Sequence, residues 1–162
     1  MIDELPRRAA LSVAAILLLG TGLSVLRLSD GDAARDSVEA LAAHIARQID
    51  AIGRLDGDAA FPAGVAAGPP LRLPATVAGV SYRVEVRAAS VTVRAGSVAG
   101  AAALQVPVLP FPPGPAEYTS AEIAAKGGAV VAIDVGDGFV VERAACRIDG
   151  VPVHRTFVHL PH

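Results

Sequence analysis

The sequence predicts an α+β chain, mainly β by mass, in which a long N-terminal helix precedes an antiparallel β-sandwich or sheet. Three observations predict it. Residues 9–26 form an uncharged apolar run, and residues 38–52 place apolar side chains at helical spacing. Beyond residue 70, short runs of β-branched residues alternate with turn residues. The boundaries that follow are a leader over 1–9, a transmembrane and amphipathic helix over 10–55, a linker over 56–70 and a β-rich domain over 71–162.

The first element is the apolar run AALSVAAILLLGTGLSVL, from Ala9 to Leu26. As a helix it measures about 27 Å, enough to cross the hydrocarbon core of a bilayer. Arg7 and Arg8 precede it and Arg27 follows it. Two cations against one favour a cytoplasmic N-terminus and place the rest of the chain outside. Three fates compete for this segment. A cleaved secretory signal wants a small-x-small site after the run, and Ser24-Val25-Leu26-Arg27-Leu28 fits that poorly. The others are an uncleaved anchor and a leader cut before the run, which would keep the run in the mature chain.

The second element begins near Asp32. Val38, Leu41, Ile45, Ile49 and Ile52 recur at spacings of 3, 4, 4 and 3, with Asp36, Glu39, Arg47, Gln48, Asp50 and Arg54 around them. That is an amphipathic helix with one narrow apolar stripe. Ser29 and Asp30 offer capping oxygens, so a break at Gly31 competes with one continuous rod of roughly 70 Å.

The third element is the β-rich remainder. DGDAAFPAGVAAGPP (56–70) reads as a loop leaving the helix. VSYRVEV places Val80, Tyr82, Val84 and Val86 on one face, with Arg83 and Glu85 on the other. Strands over 90–93 and 102–108 follow, with turns at Ala95-Gly96 and Ala99-Gly100. PVLPFPPGP (107–115) has proline at five of nine positions, which suits an extended connector and not the centre of a sheet. GAVVAIDV, Gly136-Asp137-Gly138 and FVVERAACRI read as a hairpin turned by Asp-Gly, and residues 151–160 supply a last strand.

Taken together, the leader ending in Arg7-Arg8-Ala9, the apolar span, the amphipathic helix and the β-rich remainder resemble archaeal type IV pilin-like proteins. The stretch LPATVAGVSYRVEV, with Val106-Pro107-Val108 beyond it, is similar to the start of the β-domain in such envelope proteins. The resemblance implies a prepilin-type peptidase that cuts after the Arg8-Ala9 pair and leaves Ala10 as the new N-terminus. Bacterial pilins carry Gly before the cut and Glu at the fifth mature position; this chain has Ala9 and Ala14 there.

Composition bounds the function. The chain has 162 residues, 52% of them apolar, and its mean hydropathy of +0.49 is high for a soluble domain. A net charge of −2 and a pI near 6.0 leave no basic footprint, so nucleic acid is not an expected partner. The single cysteine, Cys146, excludes an intrachain disulfide. The absence of Asn excludes N-linked glycosylation, and with 13 Arg against one Lys it reads as codon bias.

Little chemistry is legible. His154 and His159 stand five apart and face opposite sides of a strand, His162 is terminal, and His44 sits beside the apolar stripe. Asp134, Asp137 and Asp149 fall in or beside turns; Asp134 to Gly138 lacks the oxygens and closing Glu of a calcium loop. No phosphate loop, nucleophile elbow or paired-Cys motif occurs, so neither enzyme activity nor a cofactor or metal is expected.

The reading that follows is a structural subunit of a type IV pilus-like filament or a pilin-like envelope protein. It would associate with itself or with other pilin-like subunits through residues 10–26, where Ala14, Leu18, Gly20, Gly22 and Leu26 mark the membrane and assembly helix. Small residues there permit close helix approach. The alternative is a single-pass, membrane-anchored extracellular β-sandwich that binds a partner without assembling. Either reading places the chain in the cell envelope.

Overall fold

The computed structural model describes residues 31–68, 71–114, 117–134 and 136–161. The processing residues Arg8, Ala9 and Ala10, the run that holds Ala14, Leu18, Gly20, Gly22 and Leu26, and the capping pair Ser29-Asp30 lie outside the described residues. Among the described residues, no helix is long and apolar enough to cross a membrane.

Helix α1 covers residues 31–53, with Gly31 inside it. Between Gly31 and Gly53 there is neither Gly nor Pro, and Ala, the best helix former, fills seven of the 21 positions. Val38, Leu41, Ile45, Ile49 and Ile52 are all buried. Ala42 and Ala46 are buried beside them, so the apolar arc is wider than the five-residue stripe. The last turn tightens to three-residue spacing, with Arg54 N–H donating to the Ala51 carbonyl and Leu55 N–H to that of Ile52.

Nine strands follow: β1 (Ala59–Ala63), β2 (Tyr82–Arg87), β3 (Ser90–Ala95), β4 (Val98–Ala103), β5 (Val108–Leu109), β6 (Glu117–Tyr118), β7 (Val131–Asp134), β8 (Phe139–Ile148) and β9 (Val151–His159). A short helix, α2 (Ser120–Gly127), precedes β7. The strands make two sheets. Sheet one has the order β1-β8-β9-β5, with β6 added to β8; sheet two has the order β4-β3-β2-β7. The ladders are antiparallel except for the two-residue strands β5 and β6, which run parallel to β9 and β8. The chain is thus α+β and mainly β, and one core joins α1 to both sheets through Val84, Val86, Val91, Val93, Phe139, Val141 and Val158.

Several sequence expectations change. The linker 56–70 contains β1, paired along its length with β8. Its Pro62 is tolerated because β1 is an edge strand, where the missing N–H costs no ladder bond. Asp137-Gly138 does not turn a hairpin, because β7 pairs with β2 and β8 with β1 and β9. The chain crosses between sheets there. Gly138 takes φ +69, and a Cβ on it would stand 2.7 Å from the Ala63 carbonyl oxygen.

The Asp-Gly hairpin belongs instead to Asp149-Gly150, at φ +50 and +80, which joins β8 to β9. Ala99-Gly100 is not a turn but the middle of β4, and the strand expected over 102–108 is instead the end of β4, a loop over 104–107 and the start of β5. Val80 is exposed, since Ala78 and Gly79 turn the chain just before β2, and Val77 and Val80 exchange backbone hydrogen bonds across that turn.

The proline-rich connector supplies β5 at a sheet edge, and a second, smaller core lies beside it. Phe157, Leu109, Cys146 and Tyr118 are buried there. Phe111 meets the Phe157 ring edge-on at 5.8 Å, and the Lys126 ammonium lies 5.3 Å from the Phe111 ring centre.

Candidate functional site

Two features of the surface and core have functional shape: the seat of α1 and the solvent face of sheet two. Gly100, opposite Val93 in β4, faces inward. A Cβ at Gly100 would lie 2.7 Å from the Glu39 backbone nitrogen and 2.8 Å from its Cα. Only a residue without a side chain lets α1 come this close to the edge strand. Further along, the Asp50 carboxylate accepts hydrogen bonds from the N–H groups of Gln105 and Val106, both at 2.9 Å. Arg54 reaches the Gln105 side-chain oxygen at 3.1 Å. At the end of α1, a Cβ on Gly53 would stand 3.0 Å from a Val106 methyl group. The amphipathic pattern puts Asp50 among the polar residues; the structure buries it as the clamp between α1 and the loop after β4.

On the solvent face of sheet two, β2 turns Arg83, Glu85 and Arg87 outward while Tyr82, Val84 and Val86 enter the core. Arg83 and Asp134 form a two-pronged pair, Nε to Oδ1 at 2.9 Å and Nη2 to Oδ2 at 3.0 Å. The hydrogen bond from Arg83 holds the Asp134 carboxyl below the usual carboxylate range, and the same pair raises Arg83. Arg94 donates from Nε to Glu85 at 3.1 Å. Arg83, Arg94, Asp134 and Ser81 share a groove of about 730 Å³ whose lining includes Val65, Ala75 and Tyr82. Tyr82 donates its hydroxyl to the Pro74 carbonyl at 2.7 Å, and burial pushes its pKa up to about 12.

The histidines do not converge. His154 Nε2 lies 3.4 Å from Asp58, whose Oδ1 also accepts from Ala145 N–H; His159 Nε2 lies 3.4 Å from Glu142. His159 is buried and His154 exposed; Thr156 and Val158, two and four residues on from His154, are buried as well, so the contrast follows position along β9 and not its two faces. His44 is half-buried on α1, and His162 lies outside the described residues. Among the described residues, no group of three His, Cys, Asp or Glu side chains could hold a metal.

Asp149 binds α2: its carboxylate accepts from the Ser120 N–H at 3.0 Å and from the Ser120 hydroxyl, and these bonds hold it below the usual carboxylate range. Burial raises the Cys146 thiol, which matches its place in the smaller core.

The sequence reading missed α2, although Thr119-Ser120-Ala121-Glu122 carries the signal. Thr119 accepts from Glu122 N–H at 3.1 Å, and Glu122 accepts from Thr119 N–H at 2.8 Å, a reciprocal capping box. The Asp50 clamp and the Gly100 seat had no such signal. No protein-family model, no curated protein and no solved structure matches the chain.

Proposed function

We propose that the chain is a structural subunit of a pilin type, which assembles through its N-terminal apolar helix into a surface filament or a related envelope structure. One observation carries the reading. The charge-free run 9–26 leads into α1, and α1 is not a tether beside the domain but part of its core. Val38, Ile45 and Ile49 are fully buried, and Asp50 and Gly53 tie the helix end to the loop beyond β4. In this reading, a helix fused to its domain in this way ties the apolar segment to the β-sheets. A loosely tethered binding module has no need of such a joint.

In this reading residues 10–26 supply helix–helix contacts, with Ala14, Gly20 and Gly22 allowing close approach. A prepilin-type peptidase would act at Arg8-Ala9, and the membrane holds the subunit before assembly. The test is mass spectrometry of the native N-terminus in membrane and shed-filament fractions, together with Gly20→Arg. A start at Ala10 with the run retained, and loss of filaments in Gly20→Arg, are the expected results. An intact Met1 in every fraction, with no filaments, would overturn the proposal and favour the anchored binding module.

A further inference from the structure

The solvent face of sheet two carries an unbalanced charge. Across its four strands the register reads Asp134, Arg83, Arg94, Ala99. Two arginines therefore stand opposite each other in the β2–β3 register, a pairing that costs stability in a bare sheet. Arg83 is held from its far side by Asp134, and Arg94 diagonally by Glu85. Glu85 also has Arg87 Nη2 at 4.0 Å, so three guanidiniums share two carboxylates.

Arg83 and Arg94 line the groove of about 730 Å³ together, with Asp134 the one carboxylate among its described lining residues. Among the described residues, Arg94 hydrogen-bonds through Nε only, and its terminal nitrogens have no acceptor. More than half of that side chain, 55%, is exposed. Its other cross-strand neighbour is Ala99, too small to wall off the groove on that side.

We propose that this groove binds an oxyanion, a carboxylate or sulfate group, seated on the terminal nitrogens of Arg94 with the Arg83–Asp134 pair beside it. A planar fork of N–H donors matches such a group in geometry and charge. The Ser81 hydroxyl adds a further polar group to the lining, and the volume takes a group of sugar size. The anion has two possible sources, a free ion or an acidic sugar of a surface polysaccharide. The site does not depend on filament assembly.

The test is calorimetric titration of the full chain in a non-ionic detergent, at constant ionic strength set with sodium chloride. Sodium sulfate is the ligand in one arm and a short oligogalacturonate in the other. Saturable binding is expected in at least one arm; tighter binding of oligogalacturonate identifies the sugar source, and equal affinity per anionic group identifies the free ion. Arg94→Gln weakens binding about tenfold, while Arg47→Gln, on the exposed side of α1, leaves it unchanged. If Arg94→Gln lowers the melting temperature, Arg94→Lys, which keeps the charge and loses the fork, takes its place. No saturable binding in either arm, or an equal loss from Arg47→Gln, overturns the proposal.

Discussion

Replacing Gly100 by alanine adds one methyl group where the Glu39 backbone nitrogen stands 2.7 Å away and its Cα 2.8 Å away. Ordinary contact needs roughly 3.4 Å or more, so β4 and α1 must separate by about 0.7 Å. Backbone atoms cannot swing aside as a side-chain end can. The displacement falls on the turn of α1 that seats Val38, Leu41 and Ala42. A gap of that size forfeits about a quarter to a half of each affected dispersion contact. With about 1.5–3 kcal/mol stabilising each buried aliphatic side chain, the loss comes to about 1–3 kcal/mol, the range typical of overpacking.

The opposing effect, alanine's conformational advantage in a strand, is about 0.5–1 kcal/mol. Gly100→Ala is therefore expected to lower the melting temperature by about 2–8 °C, followed by circular dichroism of the full chain in detergent. Gly127→Ala is the control, since a Cβ there meets nothing within 4 Å, and it should leave stability equal or higher. A melting temperature for Gly100→Ala at or above the parent value would refute the close seat of α1 on β4.

Asp50→Ala removes the acceptor of two backbone N–H groups at once. It should cost about 2–3 kcal/mol in urea unfolding and speed hydrogen exchange at Gln105 and Val106. The Thr156 hydroxyl is buried with no hydrogen-bond partner among the described residues, so Thr156→Val should keep the fold and raise stability by about 1 kcal/mol, read as a rise in the urea midpoint. Asp134, Asp149 and Glu122 all have carboxyls held below their ordinary values by hydrogen bonds. Their contribution is complete above the unfolded-state pKa of about 4 and is lost as pH falls through the lower folded-state values. Melting temperature should thus drop on acidification from about pH 5 downward, and Asp149→Asn should flatten that slope.

Local pattern in the sequence reaches the elements whose burial is set by their own periodicity. The stripe of α1 and the alternation of β2 follow from spacing alone, because each presents one face to a core. What pattern does not reach is pairing between distant segments. Val131 to Asp134 and Phe139 to Ile148 flank a strong turn signal, and nothing local says that β7 joins β2 while β8 joins β1. β1 is hidden for a related reason: Pro62 and the surrounding Ala and Gly read as loop until an edge position makes proline harmless. The groove on sheet two was half legible. Arg83 and Glu85 point outward on the pattern of β2, but the opposition of Arg83 to Arg94 exists only in the β2–β3 register.

The clamp between α1 and the far part of the chain also sets an order of events. α1 is made before every strand, yet its partners at Gly100 and at Gln105 and Val106 come much later in the chain. The stripe from Val38 to Ile52 therefore has no complete partner surface until β9 has been synthesised. Such distant closure slows folding and leaves an apolar helix face bare while the chain emerges. A chain built this way stays dependent on whatever shields that face until β9 is in place.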